Sequence, residues 1–355
     1  MTSRLPETSA AADYFERLNG IFESSAAANG GSLSFGYAIA SSRLQLNFAG
    51  PSLIPYLAPS LVHLAASAPD PNLLTISVWD EITAAEPIPP PPWSWTSYMS
   101  RGEVGAYDSE AFRIWFDIGT GLFSMIDLAS NRALLWVRDP GRLPIYVTAA
   151  PFRMILQAWL SRRGLYFAHA AAVGNVRGGV LLAGTGGAGK STTSLVCLAG
   201  GMDFLGDDYC LFGVQPQPEV HSAYCSAKLD LGMLQRLPEF QSKVHRGNDL
   251  GEDKVLLMLG EAYVTKLTRS LPLRALLVPH ITHQAGTFTE QISALEGIRA
   301  IAPSTMGQIA GPDPSAWRAI IALARKVPSF RISVGYDLEQ IPRTINKLLE
   351  RLSIT

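Results

Sequence analysis

The stretch Val180-Leu-Leu-Ala-Gly184-Thr185-Gly186-Gly187-Ala188-Gly189-Lys190-Ser191-Thr192 constrains this chain more than any other segment. It satisfies the pattern G-x-x-x-x-G-K-[ST] in full. Each part has a physical job. The apolar run before the first glycine reads as a buried strand that positions the loop. The glycines let backbone N–H groups turn inward toward phosphate oxygens. Lys190 can reach the β and γ phosphates of a nucleoside triphosphate, and the Ser191 hydroxyl can ligate Mg²⁺. The following helix aims its positive end at the same phosphates. Gly184 to Thr192 are therefore the candidate nucleotide-binding residues, and ATP with Mg²⁺ is the expected cofactor pair.

Three further features stand near this loop. The first is Asp203-Phe-Leu-Gly-Asp207-Asp208, a short strand ending in paired acids. A metal-associated carboxylate belongs at such a place after a phosphate-loop helix. Two adjacent carboxylates can divide the labour, one positioning Mg²⁺ or its water and the other accepting a hydroxyl proton. The second is His169, at the start of the strand before the loop strand. A lone histidine is more often a hydrogen-bonded structural residue than a catalyst. The third is Ser226-Ala-Lys228-Leu, with Arg246 and Lys254 beyond it. Cations near a transferring phosphoryl group would offset developing charge, although exposed Lys and Arg are usually solvated surface.

Around these features the pattern changes once along the chain. Residues 1 to about 12 are small and polar and read as frayed, with a helix over about 11–24. Phe35 to Ile39, Leu44 to Phe48 and Leu74 to Trp79 alternate apolar and polar residues, as half-buried strands do. The proline run from Glu86 to Trp95 reads as an extended loop. Ala111 to Ile118, Leu122 to Asp127 and Arg132 to Trp136 read as a meander, and Pro151 to Arg162 as a helix. From His169 onward strands alternate with helices: strands at Ala170–Gly174, Gly179–Ala183, Phe204–Leu205 and Leu273–Pro279, and helices at Thr192–Leu198, Ala316–Arg325 and Leu338–Leu352. The expected architecture is a β-rich α+β domain over residues 1–150 followed by an α/β phosphate-loop domain over 151–355.

Composition narrows the function classes. The 355 residues are 47% hydrophobic and 17% charged, which is globular and not disordered. The net charge of −1 gives no nucleic-acid footprint. The three cysteines, Cys197, Cys210 and Cys225, show no zinc spacing and fit a reducing compartment. The first fifteen residues hold no apolar core of signal-peptide length, and no apolar run is long enough to span a bilayer. The expectation is a cytoplasmic protein with neither membrane nor nucleic acid as a partner.

The stretch from His169 to Asp208 resembles the core of bacterial HPr serine kinase/phosphorylase. The likeness rests on three linked features: a histidine before the loop, the loop itself, and paired aspartates after a short helix and strand. Weaker similarity runs through Tyr224 to Leu229, Leu273 to Pro279 and Ala302 to Thr305. These phrases, with Leu135 to Asp139 and Phe167 to Val173, are similar to an HPr-kinase-like subgroup encoded beside lasso-peptide and related ribosomal-peptide genes. The Gly-Thr-Gly-Gly loop and the β-rich first 150 residues depart from HPr kinase itself and favour that subgroup. The resemblance implies an α/β phosphate-loop kinase fold of the HPr kinase and phosphoenolpyruvate carboxykinase type. It implies an ATP-dependent kinase acting on a serine near the C-terminus of a precursor peptide, with the first 150 residues as the peptide-recognition domain. By it, Lys190 and Ser191 hold phosphates and Mg²⁺, and His169 sits near the phosphoryl group. Asp207 and Asp208 supply the metal-associated carboxylate and the base, with Ser191 and Asp207 on the metal side. A homo-oligomer is compatible with it. The alternatives are a kinase of an HPr-like protein or of a small metabolite, and a non-catalytic nucleotide-binding regulator.

Overall fold

The computed structural model describes residues 4–67, 70, 72–100, 102–105, 107–245, 253–282, 284–308 and 313–353, with side chains from residue 8 onward. Arg246 lies outside the described residues. The chain is mixed α/β and forms two compact units. One comprises residues 1–59 and 64–159; the other comprises 60–63 and 160–355.

The first unit opens with helix α1 (Arg4–Ala28). It starts well before the expected residue 11. The alanines at 10–12 and 26–28 are strong helix formers and carry the helix beyond its apolar stripe. That stripe is Ala11, Tyr14, Phe15, Leu18, Ile21 and Phe22, spaced three and four residues apart and buried. It packs on Trp79, Phe112, Phe123, Met125, Leu134 and Trp136 of a six-stranded sheet. The strands are β1 (Leu33–Ile39), β2 (Ser42–Phe48), β3 (Leu74–Asp80), β4 (Phe112–Asp117), β5 (Leu122–Asp127) and β6 (Arg132–Val137), with short helices α2 (Ile54–Leu57) and α3 (Ile145–Ala149) and then α4 (Arg153–Ser161). Their order is β1-β2-β3-β6-β5-β4. The chain itself bonds to both outer strands. The Ala66 N–H donates to Gly36 O on β1, and the Phe116 N–H of β4 donates to Gly102 O.

The second unit contains β7 (Leu165–Ala168), β8 (Ala170–Asn175), β9 (Gly178–Ala183), α5 (Lys190–Ala199), β10 (Asp203–Gly206), β11 (Cys210–Gly213) and β12 (Glu219–His221). It continues with β13 (Ser226–Asp230), α6 (Leu231–Arg236), β14 (Lys254–Met258), β15 (Ser270–Ile281), β16 (Phe288–Ile292), α7 (Ala294–Gln308), α8 (Pro314–Lys326), β17 (Ser329–Val334) and α9 (Gln340–Ser353). The main sheet runs β10-β8-β9-β15-β12-β11-β7, with β17 on β15 and β16 on β17. Side chains alternate across it. Val180, Leu182, Leu277 and Ile332 pack against Leu195 and Leu198 of α5 and Ile341, Ile345 and Leu348 of α9. Leu181, Ala183 and Leu276 pack against Ile301 of α7 and Ile320 and Leu323 of α8. The result is helices on both faces of one sheet. β13 and β14 form a separate two-stranded antiparallel sheet. Among the described residues no helix is long and apolar enough to cross a membrane.

Candidate active site

The phosphate-loop sequence folds as a strand, a tight turn and a helix. β9 is buried along its whole length and ends at Ala183. Gly184 is required by packing, because a Cβ there would stand 2.9 Å from the Ala188 Cβ. Gly187 and Gly189 have φ of 80° and 90°, a left-handed backbone that favours glycine. Gly189 is the N-cap of α5 and offers no side-chain bond to its first amides. Those amides have no partner within the helix, which is the physical basis of an anion site. Lys190 is the first helical residue and is buried. Its ammonium donates to Gly184 O at 2.9 Å and Thr185 O at 3.1 Å, so it lies curled over the loop. Burial lowers its pKa, while Asp207 and Asp208 raise it and Lys254 lowers it further. Ser191 and Thr192 follow in the same turn, both half-buried.

Sheet order explains why His169 and the two aspartates meet this loop. β8 runs antiparallel to both neighbours, β9 and β10. Its first residue, Ala170, pairs with Ala183, the last of β9. Gly206, the last of β10, pairs with Ala172. The residue before β8 and the residues after β9 and β10 therefore leave the sheet at one edge. These are His169, Gly184 and Asp207.

Asp208 has φ of 60°, and the Tyr209 N–H donates to Asp207 O at 2.7 Å across it. That is a three-residue turn in a sparsely populated conformation, held by the Ala170 N–H donating to Asp208 O at 3.1 Å. Strained backbone of this kind persists where the surroundings over-determine it.

The carboxylates have opposite electrostatics. Asp207 is 2% exposed. Its Oδ2 accepts the Lys228 N–H at 3.1 Å, and its buried Oδ1 has no hydrogen-bond partner. Burial, then the charge of Asp208, pushes its pKa up, against the opposing bond from the Lys228 amide. Asp208 is also penalised by burial, but the adjacent His169 imidazole and the Lys228 ammonium hold it well below the usual carboxylate range. Lys228 Nζ lies 3.1 Å from Asp208 Oδ2, and His169 Nε2 lies 3.6 Å from Oδ1. Lys228 thus serves both acids, with its amide on one and its ammonium on the other.

His169 is buried and set by α7. Its backbone N–H donates to Thr305 Oγ1 at 3.0 Å. Its Nε2 is 3.4 Å from the Gln308 amide nitrogen, whose Oε1 accepts the Tyr209 hydroxyl at 2.6 Å. The Tyr209 ring lies 6.0 Å from the imidazole, centroid to centroid. Of the cations singled out from the sequence, Lys228 joins the site directly. Lys254 opens β14 opposite Asp230 and is felt by Lys190 as a like charge. Tyr209 and Gln308 carry no motif, and sequence reasoning does not find them. Thr305 lies inside one of the phrases of family resemblance, which is its only signal.

No protein-family model matches this chain. No curated protein matches it either. Among solved structures, the Hpr(Ser) kinase/phosphatase from Coxiella burnetii aligns over 52% of this chain and 94% of its own, at 11% identity and a TM-score of 0.29. A likeness that slight decides nothing about chemistry.

Proposed function

We propose that this protein is an ATP-dependent kinase that transfers the γ-phosphoryl group to a serine hydroxyl of a ribosomally made precursor peptide. One observation carries the kinase reading: a complete phosphate loop, a buried aspartate and a second, anionic aspartate leave the sheet at a single edge. A nucleotide-hydrolysing or merely binding protein needs the loop. A carboxylate kept charged by a histidine and a lysine beside that loop supplies a proton acceptor for an incoming alcohol.

The geometry supports the following roles. The loop amides and Lys190 hold the phosphates. Ser191 and Asp207 fit Mg²⁺: Asp207 Oδ1 is buried without a hydrogen-bond partner beside the first turn of the loop helix. Hard cations of this kind are commonly held by one or two carboxylates together with phosphate oxygens. Held there, the ion would supply positive charge to offset that of the phosphates. Asp208, with 24% of its side chain exposed, faces the acceptor. Its proton affinity is low, so it takes the hydroxyl proton only as the new O–P bond forms. Lys228 and His169 keep it oriented and charged. Positioning and electrostatics then carry most of the barrier.

The peptide serine as acceptor, and the β-rich first unit as the part that selects it, rest on the family resemblance of the sequence. The test is direct. The protein, ATP and a synthetic precursor ending in serine are incubated and read by mass spectrometry. A phosphoryl gain on that serine is expected, and its loss in Asp208→Asn. Phosphorylation of a small-molecule alcohol and no peptide tried would move the acceptor elsewhere, and no transfer to any alcohol would leave only nucleotide binding.

A further inference from the structure

The two flanks of the phosphate loop differ in chemistry. On the β8–β10 side stand Asp207, Asp208, His169 and Lys228, the groups suited to an acceptor hydroxyl. On the β15–β17 side stand two exposed large hydrophobic residues, Ile281 and Tyr336. Ile281 ends β15 and is 51% exposed. Its Cγ1 and Cδ1 lie 3.4 Å from where a Cβ on Gly189 would stand, so it borders the loop. Ile281 pairs with Val334, the last residue of β17. Two residues on comes Tyr336, 63% exposed.

The backbone of Tyr336 is anchored on both sides. Its N–H donates to Gln284 O at 3.1 Å, and its carbonyl accepts Arg236 Nη2 at 3.1 Å. Gly335 before it is hemmed in, with a hypothetical Cβ 2.7, 2.8 and 3.0 Å from the carbonyl oxygens of Gln284, Gly286 and Ala285. Neighbouring charge is turned inward: Asp337 accepts Gln340 Nε2 at 2.8 Å and the Glu339 N–H at 3.2 Å. An aromatic ring is thus held on a fixed backbone while its faces stay in water. A single exposed apolar side chain is ordinary. Ile281 borders the phosphate loop, and Tyr336 follows the strand paired with it, both on the flank opposite the acceptor groups, where the rest of a nucleotide must go. If the γ-phosphate faces Asp208, the α-phosphate and its nucleoside leave toward β15 and β17.

We propose that Ile281 and Tyr336 form the platform for the nucleobase, with the Tyr336 ring stacking on the base. This rests on the nucleotide-binding reading above. A flat π-face recognises any base, so the platform gives affinity for nucleotides over bare polyphosphate and little selection among bases.

The test compares ATP with inorganic tripolyphosphate, titrated calorimetrically into the full chain. Tyr336→Ala is expected to weaken ATP about tenfold, within the range of aromatic–base stacking, and to leave tripolyphosphate unchanged. Tyr336→Phe should bind ATP like the parent. The platform is overturned if Tyr336→Ala leaves ATP binding intact or weakens both ligands equally. Lys190→Ala separates the two readings. It should weaken both ligands, and a Lys190→Ala protein that binds both like the parent sinks the phosphate-loop reading itself.

Discussion

Asp207 and Asp208 are neighbours in sequence with opposite environments, and their amide variants should separate the two roles. Asp208→Asn leaves Lys228 and His169 facing a neutral group and removes the proton acceptor. Transfer should fall about 10²–10⁴-fold, the usual contribution of general base catalysis, with ATP affinity kept. Steady-state kinetics beside direct binding measures both; equal losses in the two would assign Asp208 to nucleotide binding. Gln308 makes a subtler case. Its amide lies between the Tyr209 hydroxyl and His169 Nε2. Gln308→Ala should lower kcat about tenfold with KM for ATP held, because one positioning hydrogen bond is worth about 0.5–1.5 kcal/mol. Tyr209→Phe should do the same in part, since the hydroxyl orients the amide. A change confined to KM would place the pair in binding instead. The loop and the aspartates were legible because their work is local, done by backbone within one turn of a strand or helix. Gln308 was not, because it reaches His169 from 139 residues away.

At the scale of elements, the segment Ser60–His63 belongs with the second unit although its neighbours in the chain do not. Ser60 O accepts the Cys225 N–H at 2.8 Å, His63 Nε2 pairs with the Ser222 hydroxyl at 2.7 Å, and Arg269 Nε donates to His63 O at 3.2 Å. Burial, reinforced by the Arg269 charge, pushes the His63 pKa down to about 3. Its folded pKa lies below the unfolded value, so the unfolded chain binds the extra proton. Stability from this group is full above about pH 6.5 and is lost as pH falls toward 3, by about 1.4 kcal/mol per unit. Urea unfolding at pH 7 and pH 5 should lose less stability to acid in His63→Gln than in the parent, by about that slope. A slope unchanged in His63→Gln would assign the acid sensitivity to another group. No periodicity marks this segment in the sequence. Elements that alternate cleanly, such as β2 with its strict buried and half-buried pattern, were readable. α7 was not, because Pro303 sits inside it and proline ordinarily argues against a helix interior. β15 was found only at its centre. It runs for 12 residues because it serves β12, β9 and β17 in turn, a length set by three partners rather than by its own pattern.

At the scale of the molecule, the apolar cores are built within units: α1 covers the first sheet, and α5 with α9 and α7 with α8 cover the second. The change from a β-rich pattern to strands alternating with helices was visible in the sequence, whereas the pairing order was not. Order matters most for function, since it brings residues 169, 184 and 207 to one edge of the sheet. It also predicts which end of that sheet a nucleotide will quiet. The chain reverses between β8 and β9 at residues 175–178, at the end opposite the loop. Hydrogen exchange with ATP and Mg²⁺ should therefore slow amides in 184–192 and 206–209, whose bonds the bound phosphates reinforce. The turn at 175–178 and the β11–β12 turn at 214–218 should exchange as before. Lys190→Ala should erase the difference between the two ends. Equal protection at both ends would mean that nucleotide tightens the whole unit rather than this edge, and the edge would lose its claim to be the site.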